Sequence, residues 1–163
     1  MYQQFNLDDT PAEIDFNLED CMYALKYSEL EENERDNLTM LVNVQLATYQ
    51  GWKIIPFLSS FKVLSPFGFE MRLPYANSTL HEWHSITKSI PNYIGDANAA
   101  MSLFAPQKDV RLRIEPMGFD NQWKVGYEVL GNIYLPGSGS YYDLPEAIVR
   151  AFVAYLNDPT LNS

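Results

Sequence analysis

Two arginines in the stretch DVRLRIEP, Arg111 and Arg113, are the residues whose type and spacing best suit recognition chemistry. They alternate with aliphatic residues, as in a strand that buries one face, so both guanidinium groups should project from the other face. Lys124, on the next predicted strand, should fall on the same side if the two apolar faces coincide. A guanidinium group offers a planar fork of N–H donors that matches phosphate oxygens. The pattern therefore predicts a small cationic patch for an anionic ligand.

A glycine- and serine-rich loop, PGSGSYYD at 136–143, could complete such a site. Its serines supply hydroxyl groups, and its tyrosines could stack on a base, an interaction worth roughly 1–3 kcal/mol per base. The loop leads into a predicted helix N-terminus, where unpaired N–H groups favour an anion. The predicted nucleotide site comprises Arg111, Arg113, Lys124, Ser138, Ser140, Tyr141 and Tyr142.

Each part of this site also has a purely structural interpretation. The two arginines could pair with Glu115 or Glu128 across the sheet. Asp143 could cap the helix, occupy its first amides and repel an anion. One tyrosine could pack beneath the helix as a hydrophobic staple. Gly137 and Gly139 could simply permit a tight turn.

Catalytic and metal-binding patterns are weak in this chain. His81 and His84, in HEWH, have the i, i+3 spacing of two metal ligands, but they are the two histidines of the chain and a site needs a third ligand. Cys21 is the lone cysteine and is expected to fill the core. We therefore predict a non-enzymatic protein with no catalytic residue, metal or cofactor. The alternative is a metal-dependent hydrolase with a scattered site that includes the HEWH element.

The charge of the chain is concentrated at its N-terminal end. Of the formal net charge of −10, the first 36 residues carry −9. Direct binding to nucleic acid is not expected, because phosphate backbones require a basic footprint. The acidic region suggests another alternative, an inhibitor that engages a basic partner protein. No apolar run reaches the length of a membrane span, and the acidic N-terminus lacks a signal-peptide pattern, so we expect a cytoplasmic location without membrane contact.

The second half of the chain has the clearer secondary-structure signals. Asp96 is a predicted N-cap for a helix whose apolar stripe is expected to include Met101 and Phe104. Two alternating strands, DVRLRIEP and WKVGYEV, are joined by a short turn and should pair antiparallel. Residues 133–135 extend the second strand or form a third. The motif DLPE at 143–146 predicts a capping box with proline in the first turn, starting a helix that runs to Leu156.

The first half of the chain is predicted to begin with two helices, in LEDCMYALKY and in NERDNLTMLVNVQLATYQ, the second of which is stopped by Gly51. Two or three short strands should follow, with edge character where Pro56, Pro66 and Pro74 remove backbone donors. A short helix from Leu80 is expected next. The fold class is therefore α+β, an antiparallel sheet covered by helices. We expect an acidic helical region with short strands at 1–89 and a helix-strand-strand-helix unit at 90–163, together forming one compact domain.

Three segments of the second half, PNYIGDANAAMSLF, WKVGYEV and LPEAIVRAFVAYLND, resemble the phage ABA-sandwich domain family. The resemblance covers about residues 90–157, and its motifs mostly determine the fold. It implies a phage accessory protein acting in the host cytoplasm, and it implies no catalytic residue. The matching positions are Tyr93, Asp96, Ala97, Ala100, Trp123, Ala147, Ile148, Ala151 and Leu156.

Taken with the cationic patch, the resemblance suggests a phage protein that counters host defence by sequestering a small anionic nucleotide signal. Apolar strands with prolines at their edges also suggest that the protein is a homo-oligomer.

Overall fold

Helices and antiparallel strands form two compact units, Met1–Asn92 and Tyr93–Ser163, in the computed structural model. The structure describes residues 18–27, 29–57, 60–74, 88–116, 122–135 and 143–158. The N-terminal unit contains α1 (Leu18–Tyr27), α2 (Glu32–Tyr49), β1 (Lys53–Phe57), β2 (Ser60–Leu64) and β3 (Glu70–Pro74). The C-terminal unit contains α3 (Ala97–Ser102), β4 (Val110–Pro116), β5 (Trp123–Val129), β6 (Asn132–Tyr134) and α4 (Leu144–Leu156). The predicted α+β class is confirmed, and the described strands divide into two three-stranded sheets.

The two N-terminal helices pack against each other through apolar faces of helical spacing. Cys21 and Leu25 are buried on α1, and Leu38 and Leu41 are buried on α2. Gly51 follows α2 with a φ of 101°, a left-handed conformation that glycine adopts at little cost. The predicted helices and the predicted stop signal are therefore confirmed.

The first sheet has the order β1-β2-β3, with both strand pairs antiparallel. Ile54, Val63 and Met71 lie side by side in the register, and Ile54 and Val63 are buried. Pro56 and Pro74 both lie on strands at the edges of this sheet, where a missing N–H does not interrupt a central ladder. The proline-interrupted sequence therefore forms three strands, with the edge character that was predicted.

The second sheet has the order β4-β5-β6 and is also antiparallel. Its β5–β6 turn consists of Leu130 and Gly131, whose φ values of 51° and 84° match the primed turns that suit a two-residue hairpin loop. The segment after β5 therefore forms a third strand. One face of this sheet carries the register row Leu112, Tyr127 and Tyr134.

Helix α4 packs on β5 and against α3. The Tyr127 hydroxyl donates a hydrogen bond to a carboxylate oxygen of Asp158, 3.0 Å away, and its ring lies 5.5 Å from that of Tyr155. Phe152, fully buried on α4, makes an edge contact with Phe104 at 5.2 Å between ring centroids. These contacts show that α4 covers the Tyr127 face of the second sheet.

The two predicted helix caps of the C-terminal unit have different outcomes. Asp96 accepts hydrogen bonds from the backbone N–H groups of Asn98 and Ala99, at 2.8 and 3.4 Å, as predicted. The prediction of a capping box at α4 was wrong, because the Asp143 side chain accepts no hydrogen bond from the first turn of the helix. Glu146 instead forms an ion pair with Arg150, one turn along the helix, at 2.7 Å. Residues four apart on a helix lie side by side, so the ion pair with Arg150 competes with the capping box for the Glu146 carboxylate.

The predicted apolar stripe after Asp96 needs one correction. Helix α3 ends at Ser102, and the chain turns before it reaches Phe104. The buried residues of this segment therefore no longer follow the spacing of a continuous helix. Leu103 is buried in the place expected for Met101, which is exposed. The helix predicted from Leu80 lies outside the described residues. Within the described ranges, no helix combines the length and the apolar content needed to cross a membrane.

Candidate functional site

The face of the second sheet opposite α4 carries the charged residues of β4 and β5. In the strand register, Arg111 stands opposite Glu128, and Glu115 stands opposite Lys124. Arg113 lies between these pairs and stands opposite Gly126. Since neighbouring residues of a strand point to opposite faces, these side chains leave the sheet on the side away from Tyr127 and α4. We call this surface the outer face of the second sheet.

Arg113 is engaged by two carboxylates on the outer face. Its guanidinium nitrogens lie 3.7 Å from Glu115 and 3.8 Å from Glu128. Arg113 and Glu115 are largely accessible to solvent and Glu128 is partly buried, so each pair contributes on the order of 1 kcal/mol to stability. The structural alternative, in which an arginine pairs across the sheet, therefore applies to Arg113.

Arg111 has a different environment. Its side chain is exposed, and no ion pair or hydrogen bond joins it to another residue in the described part of the chain. Glu128 stands directly opposite but pairs with Arg113. Within the described residues, the two arginines of β4 therefore differ in their ion pairs.

An open cleft of about 270 Å³ lies beside Arg111, at the end of the second sheet. Two backbone reversals shape it. Asp109 precedes β4 with a φ of 65°, and the β5–β6 turn supplies the other wall. The cleft is lined by Asp109, Arg111, Glu128, Leu130 and Gly131.

Leu130 is an unusual choice for the turn beside this cleft. Its side chain is 84% exposed, and its φ of 51° costs a leucine roughly 1 kcal/mol or more. Asparagine or glycine would form the same turn with less strain. The leucine therefore provides the cleft with apolar surface at some cost to stability.

Lys124 lies apart from Arg111. It is four residues from Glu128 along β5, and a strand rises about 3.3 Å per residue, so it is displaced by about 13 Å from the Arg111 level. The two cationic residues therefore do not form the compact pair that the sequence suggested. The shared outer face of Arg111 and Lys124 was predictable from strand alternation, but their separation depends on the hairpin register.

The loop that was predicted to complete the site lies outside the described residues, and with it Ser138, Ser140, Tyr141 and Tyr142. The described chain reaches Leu135, whose side chain closely approaches Gly126. Of the seven predicted site residues, the structure therefore places Arg111, Arg113 and Lys124. Asp109, Leu130 and Gly131 were missed, although the pair of residues before Asn132 had the spacing of a hairpin turn.

The residues considered for catalysis do not form a reactive centre in the described part of the chain. Cys21 is fully buried, and burial, reinforced by Asp20, raises the pKa of its thiol to about 12. Burial also raises the pKa of Tyr93, and burial together with the hydrogen bond to Asp158 raises that of Tyr127. No cluster of metal-ligating side chains occurs among the described residues, which do not include His81 and His84.

Comparison of the chain with known proteins returned no match to a family model, a curated protein or a solved structure. The similarity to phage ABA-sandwich proteins therefore remains a prediction based on the residues quoted above.

Proposed function

We propose that this is a non-enzymatic binding protein that sequesters a small anionic nucleotide in the Arg111 cleft. The observation that carries the proposal is the exposed guanidinium group of Arg111, which has no partner among the described residues and borders an open cleft. A guanidinium group can donate two parallel hydrogen bonds to one phosphate, which gives orientation as well as affinity.

The lining of the cleft favours a nucleotide over a simple inorganic anion. Asp109 adds a carboxylate, which repels a bare phosphate but accepts hydrogen bonds from ribose hydroxyls or from N–H groups of a base. Leu130 adds exposed apolar surface on which the flat face of a base can pack. A ligand with an anionic end and a neutral, donor-rich end suits Arg111, Asp109 and Leu130. The fourth side chain of the cleft, Glu128, is already paired with Arg113.

The similarity of the second half to phage ABA-sandwich proteins supplies the biological context of this proposal. A phage protein that binds a nucleotide signal in the host cytoplasm would lower its free concentration and so weaken a defence response. Binding alone is sufficient for such a role, and the proposal assigns no catalytic residue.

A thermal-shift screen against cyclic and linear nucleotides tests the proposal. At least one nucleotide should raise the melting temperature, and Arg111→Ala should remove most of that shift while leaving the melting temperature of the free protein nearly unchanged. Lys53→Ala is the matched control, because it removes one exposed positive charge from the N-terminal unit. No stabilisation by any nucleotide, or an undiminished shift in Arg111→Ala, would refute the proposal.

A second candidate function is inhibition of a basic host protein by the acidic surface of the N-terminal helices. Glu31 and Glu32 are exposed at the start of α2, and Glu29 and Asp36 are exposed nearby. Clustered exposed carboxylates attract a basic surface over a distance set by ionic strength.

Capture of a host protein through this surface should weaken as salt rises. It should be lost when Glu31, Glu32 and Glu34 are replaced by lysine. The control is replacement of Asp109 and Glu115, in the C-terminal unit, by lysine, which should have little effect on capture. If the amount of host protein captured changes neither with salt concentration nor with the three lysine substitutions, this candidate is excluded.

A further inference from the structure

Three large apolar side chains are exposed in and beside the turn that joins β2 to β3. Phe67 is 82% exposed, Phe69 is 73% exposed and Met71, on β3, is 43% exposed. A cleft of about 330 Å³ lies beside Phe69, which lines it together with Pro66. Large apolar side chains exposed so close together in the chain point to an interaction site.

Hydrogen bonds donated and accepted by Ser65 hold the turn in its conformation. The backbone N–H of Ser65 donates to the carbonyl oxygen of Phe69 at 2.8 Å, and that of Gly68 donates to the carbonyl of Ser65 at 3.3 Å. The Ser65 hydroxyl oxygen also accepts from the N–H of Phe67 at 2.9 Å. The aromatic side chains are therefore presented by an ordered turn.

Strand β3 is the more accessible edge of the first sheet. Among the described strands it has a neighbour on one side, β2. The opposite edge, β1, has Pro56 in its interior, where the missing N–H and the ring hinder pairing with another strand. On β3 the proline is the last residue, Pro74, so the strand before it can accept a further strand.

The charge pattern of β3 is complementary to itself. When two copies pair antiparallel about Met71, Glu70 of each copy stands opposite Arg72 of the other. Phe69 then stands opposite Leu73, and the two Met71 residues meet at the two-fold axis. Opposite charges and apolar pairs directly across a strand pair both stabilise it.

We propose that two copies of this chain associate through their β3 strands, joining two three-stranded sheets into one continuous sheet of six strands. The pairing covers Phe69 and Met71 and uses the β3 edge of each sheet, which has no further neighbour among the described strands. A second copy is favoured over an unrelated strand because the same five residues supply both halves of the charge complementarity.

The mass of the purified protein in solution, measured by light scattering across a wide range of concentration, tests the proposal. The mass should rise with concentration from 18.7 kDa towards twice that value. Met71→Lys places two like charges at the two-fold axis and should hold the protein at the mass of one chain. The control is Ile55→Lys, an equal change at an exposed apolar residue of β1, and it should leave association intact.

A charge exchange identifies the register. Glu70→Arg alone or Arg72→Glu alone should raise the Kd of the dimer by about tenfold, because two like-charge pairs replace two opposite-charge pairs. The double variant should restore association. The exchange also keeps an opposite charge near Lys62, which pairs with Glu70 at 3.0 Å and stands opposite position 72.

Circular dichroism and melting temperature establish that each variant is folded. A constant mass of one chain at every concentration would overturn the proposal. So would a dimer that survives Met71→Lys, that is lost in Ile55→Lys, or that the double exchange fails to restore.

Discussion

Arg111 and Glu128 stand directly opposite each other on β4 and β5, yet Glu128 forms its ion pair with Arg113, at 3.8 Å. The diagonal pair leaves Arg111 without a partner among the described residues. Two arginines on one strand face therefore have different roles, although their sequence contexts are nearly the same. Arg113 holds the carboxylates of the outer face, and Arg111 is the residue that we propose contacts a ligand.

The first prediction concerns the charge of Glu128. Glu128→Gln should raise the affinity for the nucleotide that gives the largest thermal shift by roughly fivefold, since removing a repulsive charge at about 4 Å in water is worth about 1 kcal/mol. Titration calorimetry measures the change, and the gain should shrink at high salt. Glu70→Gln, which also removes a paired surface carboxylate, is the control and should leave the affinity unchanged. Weaker binding by Glu128→Gln would argue against Arg111 as the anion contact.

The second prediction compares two aspartates that precede helices. Asp96→Ala should lower the free energy of unfolding by about 1 kcal/mol, because its carboxylate accepts from two first-turn amides. Asp143→Ala should cost much less, because Asp143 makes no side-chain cap on α4. Urea unfolding of both variants measures the difference, and equal losses would contradict the contrast between the two caps.

The third prediction concerns Gly126, at the centre of the second sheet. A methyl group there would lie 2.3 Å from the carbonyl oxygen of Tyr134 and 2.6 Å from a side-chain carbon of Leu135. The backbone oxygen cannot move without disturbing the β5–β6 ladder, so Gly126→Ala should destabilise the protein by about 1–3 kcal/mol. Gly131→Ala, which meets no atom within 4 Å, should cost only the strain of its φ of 84°. Thermal unfolding that ranks Gly131→Ala as the more harmful change would contradict the close contact.

The fourth prediction concerns the buried thiol of Cys21. Its pKa is raised from 9.0 to about 12, so the folded state keeps the thiol neutral where the unfolded chain ionises it. The stability that this provides is complete below pH 9 and is lost as pH rises from 9 towards 12. Cys21→Ala should therefore show a weaker loss of stability over that alkaline window than the native protein.

The thiol should also react slowly with a disulfide reagent in the native state at pH 8 and rapidly after unfolding, because only the thiolate attacks. Fast modification of the folded protein would place Cys21 in an accessible position and contradict its burial.

The sequence by itself determined the elements and their apolar faces. Alternation in DVRLRIEP and WKVGYEV predicted the β4–β5 hairpin, and helical spacing predicted α2 and α4. Local chemistry also identified Asp96 as a cap and Gly51 as a stop, since each acts through backbone groups within a few residues. The direction in which Arg111 and Arg113 leave the strand follows from the same alternation, because the period of a strand is two residues.

The tertiary structure alone decided which charges meet. The register of β4 with β5 placed Glu128 opposite Arg111 and separated Lys124 from it. The pairing of β5 with β6 brought Leu135 against Gly126. Glu146 turned to Arg150 instead of the start of its helix, and the β5–β6 turn brought Leu130 to the cleft. These outcomes depend on distances between residues far apart in the chain, or on competition between partners of similar strength. The secondary-structure propensity of a short segment reports neither such distances nor the outcome of such competition.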